Sequence, residues 1–500
     1  MNTIPAILDD NAAKWPDRAA IIETRCGRDA TLTFSTLRDD VRRMAEHLLD
    51  SGVRPKDAVL VFIPMSLRLY VTLLALFRIG AVAVFIDPAA GRRHIRACCE
   101  CLPPAAVIAS RPVLALRFLF AGLRRIPRGI VPTLPRRARA RGAVITLPPF
   151  PAPDDAALVT FTSGSTGTPK AIVRTHRFLI AQHNVLQRAI ELVPGETALT
   201  TLPVFVLANL ASGVTTILPD AKISRPGFVR VPPLARQIAR LAPTRTEGSP
   251  AFYERLLRDP ASLKNFRKIY LGGAPLFPEL MRRLREQTNA KIVLVYGSSE
   301  AEPIAECPLE EMRDGDGLPA GRVVPELELR IIADQWGAPA QRTDALPLRA
   351  AGEIIVTGEH VLQGYLNGVG DAETKIKIDG KIWHRTGDAG YLDSDNRLWL
   401  LGRCSAKAVL PAGRAIYPFP MECAAMKHPF VRRAAFLANG QDIILAIQPT
   451  NRLAPQQTAD LRQTLAPFPP HKLVFLKKIP VDTRHNAKID YPALRKLVCK

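Results

Sequence analysis

Five hundred residues, 47% hydrophobic and 23% charged, are too many for one small domain and too apolar for a disordered chain. Two or three packed units with a sizeable core are expected. The 68 Lys and Arg against 46 Asp and Glu leave a formal charge of +22, which favours anionic partners: nucleotides, nucleic acid, acidic carriers or anionic lipid.

The first residues, "MNTIPAILDDNAAKWPDRAA", are acidic and interrupted rather than signal-like, and no apolar run reaches the roughly 18 residues of a membrane-spanning helix. A cytoplasmic protein, at most peripheral to a membrane, is expected. "AVLVFIPM" then reads as a buried strand, "RLYVTLLALFRIGA" as a helix and "VAVFID" as a second strand. Three of the eight cysteines follow in "CCEC" (Cys98, Cys99, Cys101); with Cys26, Cys307, Cys404, Cys423 and Cys499 they form no paired C-x-x-C framework of a zinc site. Between Arg111 and Arg141 stand nine arginines and no acid. Its first half, "VLALRFLFAGLRRI", has helical spacing, open to two readings: a helix lying on anionic lipid or against a partner enzyme, or a core-packed helix followed by a solvated basic loop. No recognised nucleic-acid module accompanies the charge, so nucleic acid is not an expected partner.

The strand–helix rhythm continues through "AAVIAS", "ARQIARLAPT", "FRKIYLGG", "ELMRRLREQT" and "AKIVLVYG", which predicts α/β layers with mainly parallel sheets. From about Gly352 the texture becomes that of an antiparallel β unit ("GEIIVTGE", "KIWHRTGDAGYLD", "RLWLLGR"). After Arg403 a last segment carries its own strands and helices.

The most informative stretch is "LVTFTSGSTGTPKAIVRTH", residues 158–176. An apolar strand runs into Thr162, Ser163, Gly164, Ser165, Thr166 and Gly167, followed by Lys170. Small hydroxyl residues and glycines there can present backbone N–H and side-chain O–H donors to phosphate oxygens, with Lys170 adding charge. Pro169 before the lysine and Ala171 after it exclude a Walker-A loop. A flexible Ser/Gly linker fits poorly between two apolar runs.

This stretch resembles the AMP-binding signature of the adenylate-forming superfamily of acyl- and aryl-CoA synthetases, adenylation domains and luciferases. "LGGAPL" resembles its adenine-contacting loop (Gly273, Ala274, Pro275). "VYGSSEAEP" resembles Y-G-x-T-E, implying nucleotide contacts at Tyr296, Gly297, Ser298 and Ser299, with Glu300 catalytic and holding Mg²⁺. "HRTGDAGYLD" resembles the T-G-D motif, whose Asp388 would bind the ribose hydroxyls, and "LGR" ends at Arg403 near ribose and phosphates. The resemblance spans the chain. It implies the adenylate-forming fold: residues 1–402 as a large multi-subdomain AMP- and acid-binding region with mainly parallel layered sheets plus a β unit, and residues 403–500 as a small mobile α+β lid. It also implies ATP and Mg²⁺, and a carboxylic acid converted to acyl-AMP.

A lysine near the end, Lys488 in "TRHNAKID", would alone read as a solvated charge. The family carries its adenylation lysine in P-x-T-x-x-G-K, and residues 480–488 are similar, with extra spacing and Ala487 where glycine is usual. Lys488 would then bridge substrate carboxylate and α-phosphate. "GRCSA" puts Ala406 where the family hinge is commonly Asp, while Pro420 and Glu422 keep a Pro-x-Glu.

"IPVDTRHNAKID", "IDPAAGRRHIRACCE" with the arginine-rich segment after it, "LPVFVLANLASGVTTILPD" and "WHRTGDAGYLDSDNRLWLLGR" most resemble the olefin-pathway β-lactone synthetases. These adenylate a long-chain β-hydroxy fatty acid and close it to a β-lactone without CoA. The alternative is a fatty or aryl acyl-CoA or acyl-carrier ligase, and a non-catalytic scaffold is the third reading. Val204, Phe205 and Leu207 are candidate acyl-pocket residues, with an ordinary buried strand and helix as the other reading. His176 and His485 are candidates for proton transfer or for structural roles.

Overall fold

The computed structural model describes residues 3–87, 90–134, 146–163, 168–313, 315–411, 413–440, 442–481 and 489–499. Lys488, His485, Gly164, Ser165, Thr166 and Gly167 lie outside the described residues. The chain divides into two compact units: Met1–Asp220 with Glu359–Ala372, and Ala221–Gly358 with Glu373–Lys500.

In the first unit, Ala58–Phe62, Val82–Phe85, Ala106–Ala109 and Arg128–Ile130 pair in parallel. They are short apolar runs, as strands covered on both faces require. Val82–Phe85 also pairs in parallel with Ala156–Ser163, which turns back antiparallel into Pro169–Thr175. A second group in this unit orders Thr197–Thr200, Thr215–Leu218, Ala19–Arg25 and Arg28–Thr33. Helices cover these sheets, starting where side chains satisfy free backbone donors. Ser66 Oγ accepts from Leu69 N ahead of Leu67–Arg78, and Thr175 Oγ1 from Phe178 N ahead of His176–Ala189.

The described part of the arginine-rich segment is not one helix and is core-packed only in its second half, where Leu123 and Ile126 are buried in a core cluster with Leu114 and Phe120 packed against it. It breaks into Arg111–Leu116, a 3-10 turn Arg117–Leu119 and Ala121–Arg124, with Phe120 extended at φ −115° and none of residues 111–119 buried. Its apolar residues do not hold one helical stripe long enough to sink a continuous helix.

In the second unit Arg245–Gly248, Lys268–Leu271 and Lys291–Ser298 run parallel. From Ala301–Pro308 onward the sheet is antiparallel through Leu318–Val323, Arg397–Arg403, Lys381–Leu392, Gly352–Gly358 and Leu327–Ile332. Residues 403–500 fall in this unit and build a separate three-stranded sheet, Val431–Asn439, Asp442–Pro449 and Lys472–Phe475. Lys407 Nζ and the Tyr417 hydroxyl both reach Asp334, at 2.8 Å each.

Glu422, on the helix Pro418–Met426, is buried and accepts the Phe436 N–H at 2.8 Å. Burial pushes its carboxyl up to about 7, the hydrogen bond from Phe436 opposing. The folded chain therefore holds a proton that the unfolded chain, near 4.5, has released. This contribution is complete below about pH 4.5 and is lost as pH rises through 7. At about 1.36 kcal/mol per pH unit the loss is of order 3 kcal/mol. Glu422→Gln is expected to flatten the fall in melting temperature over this window and to stabilise the protein above it. Parallel melting-versus-pH curves for the two proteins would refute the assignment.

Candidate active site

In the first unit the strand pairs Thr162↔Lys170 and Ser163↔Pro169 close a hairpin whose connection is the Ser/Thr/Gly stretch. Lys170 is 7% exposed, with Nζ 5.8 Å from the ring centroid of Tyr365. A Cβ at Gly370 (φ +97°) would lie 2.5 Å from Lys170 Cε, so glycine there makes room for the lysine side chain. Tyr365 and Gly370 escaped the sequence reading; the glycines of "GYLNGVG" were their only signal.

In the second unit the candidate residues gather at the carboxyl ends of the parallel strands, where open α/β sheets bind ligands. The turn after Lys268–Leu271 holds Gly273 (φ +81°) and Ala274, with Leu276 buried beyond Pro275. The register Leu271↔Leu294 brings this turn alongside the end of Lys291–Ser298, where Tyr296 stands. A Cβ at Gly297 would meet Ala301 O at 2.9 Å, which explains the small residue. Ser298 and Ala301 pair, so Ser299 and Glu300 form the tip of a hairpin. The Ser298 hydroxyl accepts the N–H groups of Glu300 and Ala301 at 3.2 and 3.3 Å. It shapes the tip, and Ser299 is the exposed hydroxyl.

Asp388 lies directly across from Arg403 on neighbouring strands. One carboxylate oxygen takes the Tyr296 hydroxyl at 2.8 Å, and the other lies 3.2 Å from Arg403 Nε. Burial and the neighbouring Asp388 charge raise the Tyr296 phenol well above its ordinary value, so it stays a donor. Asp388 in turn raises the affinity of Arg403 for its proton. A carboxylate has about four acceptor positions, so a vicinal diol can still bind. Thr386 holds the turn: its hydroxyl donates to Ile354 O at 2.8 Å and accepts the Asp388 N–H at 3.0 Å. Gly387 (φ +69°) is needed because a Cβ would meet Trp336 at 2.8 Å.

The sequence reading also missed a pair beside the T-G-D motif. Lys375 stands opposite His384 in the register of Lys375–Ile378 on Lys381–Leu392, with Nζ 3.2 Å from Nδ1. Burial, then the Lys375 charge, hold the imidazole near 3, so it is neutral and accepts from the ammonium. Glu300 exerts its charge on both His384 and Arg403. Among the described residues no group of three or more His, Cys, Asp or Glu could hold a metal. A single carboxylate, Glu300, would suit Mg²⁺ carried in on nucleotide rather than a protein-built metal cage.

Val204 and Leu207 line a narrow apolar cleft with Ile4, Leu8, Leu74 and Leu186, with a volume of about 50 Å³. Phe205 is 2% exposed in the core and is not part of this lining. His176 is fully buried, edge-on to Phe77 at 5.8 Å, with neither ring nitrogen hydrogen-bonded. Burial lowers its pKa to about 4. This is a core histidine.

A layered α/β chain with a glycine-rich hairpin lysine and an acid–tyrosine–arginine cluster at strand ends has the features of a nucleotide-using enzyme. Residues 8–366 match the AMP-binding enzyme family. The chain is 32% identical to the olefin beta-lactone synthetase of Xanthomonas campestris pv. campestris, covering 97% of this chain and 95% of that protein. It is 29% identical to the sulfoacetate–CoA ligase of Cupriavidus necator, over 89% of this chain and 87% of that one. Its fold superimposes on the amide bond synthetase McbA of Marinactinospora thermotolerans with a TM-score of 0.82, at 23% identity over 99% and 100% of the two chains. The chain belongs to the AMP-binding enzyme family, and with it to the ATP-dependent ligases that activate carboxylic acids as acyl-adenylates.

Proposed function

We propose that the acid is a long-chain β-hydroxy fatty acid and that the product is its β-lactone. The observation that carries this reading is the match, over nearly the whole of both chains, to an olefin beta-lactone synthetase. The apolar lining of the narrow cleft at Val204 and Leu207 matches an aliphatic chain in polarity, and a long chain would need that cleft to widen.

In this reading Asp388 receives the ribose hydroxyls. Thr162, the Ser163–Gly167 stretch, Lys170 and Arg403 meet phosphate oxygens, and the turn at Gly273–Pro275 with Tyr296 borders adenine. Glu300 would hold Mg²⁺, which neutralises charge on the phosphates. A carboxylate oxygen attacks the α-phosphorus and pyrophosphate leaves, with Lys488 spanning carboxylate and α-phosphate. Residues 403–500 act as the lid that brings Lys488 in, turning at Arg403. The β-hydroxyl oxygen then attacks the acyl carbon, loses its proton to solvent and expels AMP. High effective concentration of the internal nucleophile offsets part of the four-membered ring strain.

The similarity to a CoA ligase favours a second reading in which CoA supplies the nucleophile after the same first step. Incubation with ATP, Mg²⁺ and a β-hydroxy fatty acid is expected to release pyrophosphate and yield lactone equally with and without CoA. A thioester formed only when CoA is present would replace the first reading by the second.

A further inference from the structure

We propose that the exposed face around Leu116–Leu119 and the arginines beside it form a docking surface for an anionic phospholipid bilayer. Four apolar side chains are exposed within seven residues: Val113 at 37%, Leu116 at 52%, Phe118 at 58% and Leu119 at 67%. Single exposed apolar residues are common on any surface, but contiguous ones mark interaction sites.

Charge decides what this face meets. No acid occurs between Glu100 and Asp154, and Glu100 is engaged by Arg96 at 2.7 Å. Arg92, Arg93, Arg111, Arg124, Arg125 and Arg128 are exposed on and around these elements. The guanidinium of Arg117 lies 4.9 Å from the Phe118 ring centroid, and that of Arg92 lies 5.0 Å from Phe120. Arg117 Nη1 is buried, so the exposed Arg92, Arg124, Arg125 and Arg128 supply the charge that meets phosphate, while the exposed rings and aliphatic stems suit the boundary between headgroups and acyl chains.

A protein partner is less well served. Four side chains on a short broken helix fall short of the roughly 1,000 Å² of a specific interface. Nucleic acid would use the arginines and leave Leu116 and Leu119 in water. Among the described residues no helix is long and apolar enough to cross a membrane, so the surface lies on the bilayer. The inference does not rest on the identity of the acid.

Co-sedimentation with vesicles of phosphatidylcholine, with and without phosphatidylglycerol, tests it. The protein is expected to bind the phosphatidylglycerol vesicles and to release as salt rises. Arg124→Gln and Arg125→Gln should each weaken partitioning about fivefold. Phe118→Ser with Leu119→Ser should abolish it. These side chains are exposed, so all variants should keep the parent's melting temperature and its pyrophosphate release with a water-soluble acid. The proposal fails if the parent shows no preference for phosphatidylglycerol, or if the variants bind like the parent. It also fails if the Phe118/Leu119 changes alter only the oligomeric state in size-exclusion chromatography, which would assign this face to a protein contact.

Discussion

Replacing Lys488 by alanine is expected to cut carboxylate-dependent pyrophosphate release about 10²- to 10³-fold, with ATP affinity little changed. The size follows from removing one preorganised cation from charge that develops only in the transition state. Lys488 itself lies outside the described residues, but both ends of its segment are anchored. Val481 and Ile489 form an antiparallel bridge, and the Asp490 N–H donates to Pro480 O at 3.1 Å. The Asp490 carboxylate accepts the Ala493 N–H at 3.0 Å at the start of Tyr491–Val498. Ile489 and Asp490, next in sequence after Lys488, thus link an isolated bridge to the helix Tyr491–Val498. Lys488→Arg is expected to recover little, because a planar fork does not replace a compact ammonium between two oxygens. Consumption of acyl-AMP supplied from outside should survive in Lys488→Ala, because that step needs no new bond to phosphorus. Parental rates of acyl-AMP formation in Lys488→Ala would remove the lysine from the reaction.

The parts of this protein legible in the sequence are those where chemistry or burial acts along the chain. Continuous apolar runs such as "AVLVF" and "KIVLVY" became strands because both faces of a parallel strand are covered. The T-G-D motif was legible only through its resemblance to the family signature; the reasons for it, a positive φ beside Trp336 and a carboxylate opposite Arg403, lie in the fold. Pairings across strands were not legible. Lys375 meets His384, and Gly370 yields to Lys170, through register and packing that no short motif records. The basic segment kept helical spacing on paper yet broke at Phe120, so that Leu123 and Ile126 reach the core while Val113, Leu116, Phe118 and Leu119 stay exposed.

The largest stability effect should come from another such pairing. Arg385, inside "HRTGD", is 2% exposed and Glu353 is fully buried. Arg385 Nε donates to both Glu353 oxygens at 3.0 and 3.2 Å, Nη2 to one of them at 2.7 Å, and Nη1 to Ala338 O at 2.9 Å. Burial raises the Glu353 carboxyl above its ordinary value even with Arg385 beside it, which marks how costly this place is for a lone charge. Glu353→Ala leaves the guanidinium buried without its carboxylate and is expected to cost about 3–5 kcal/mol, read as a lower melting temperature. A double variant, Glu353→Leu with Arg385→Met, should recover most of that loss, because apolar side chains carry no desolvation penalty. Adenylation activity separates the pair's two consequences. Arg385 precedes Thr386 and Asp388 on one strand, so a pair that only fixes this strand should lose activity in Glu353→Ala and regain it in the double variant. Restored stability without restored activity would mean that the Arg385 charge itself acts on the nucleotide.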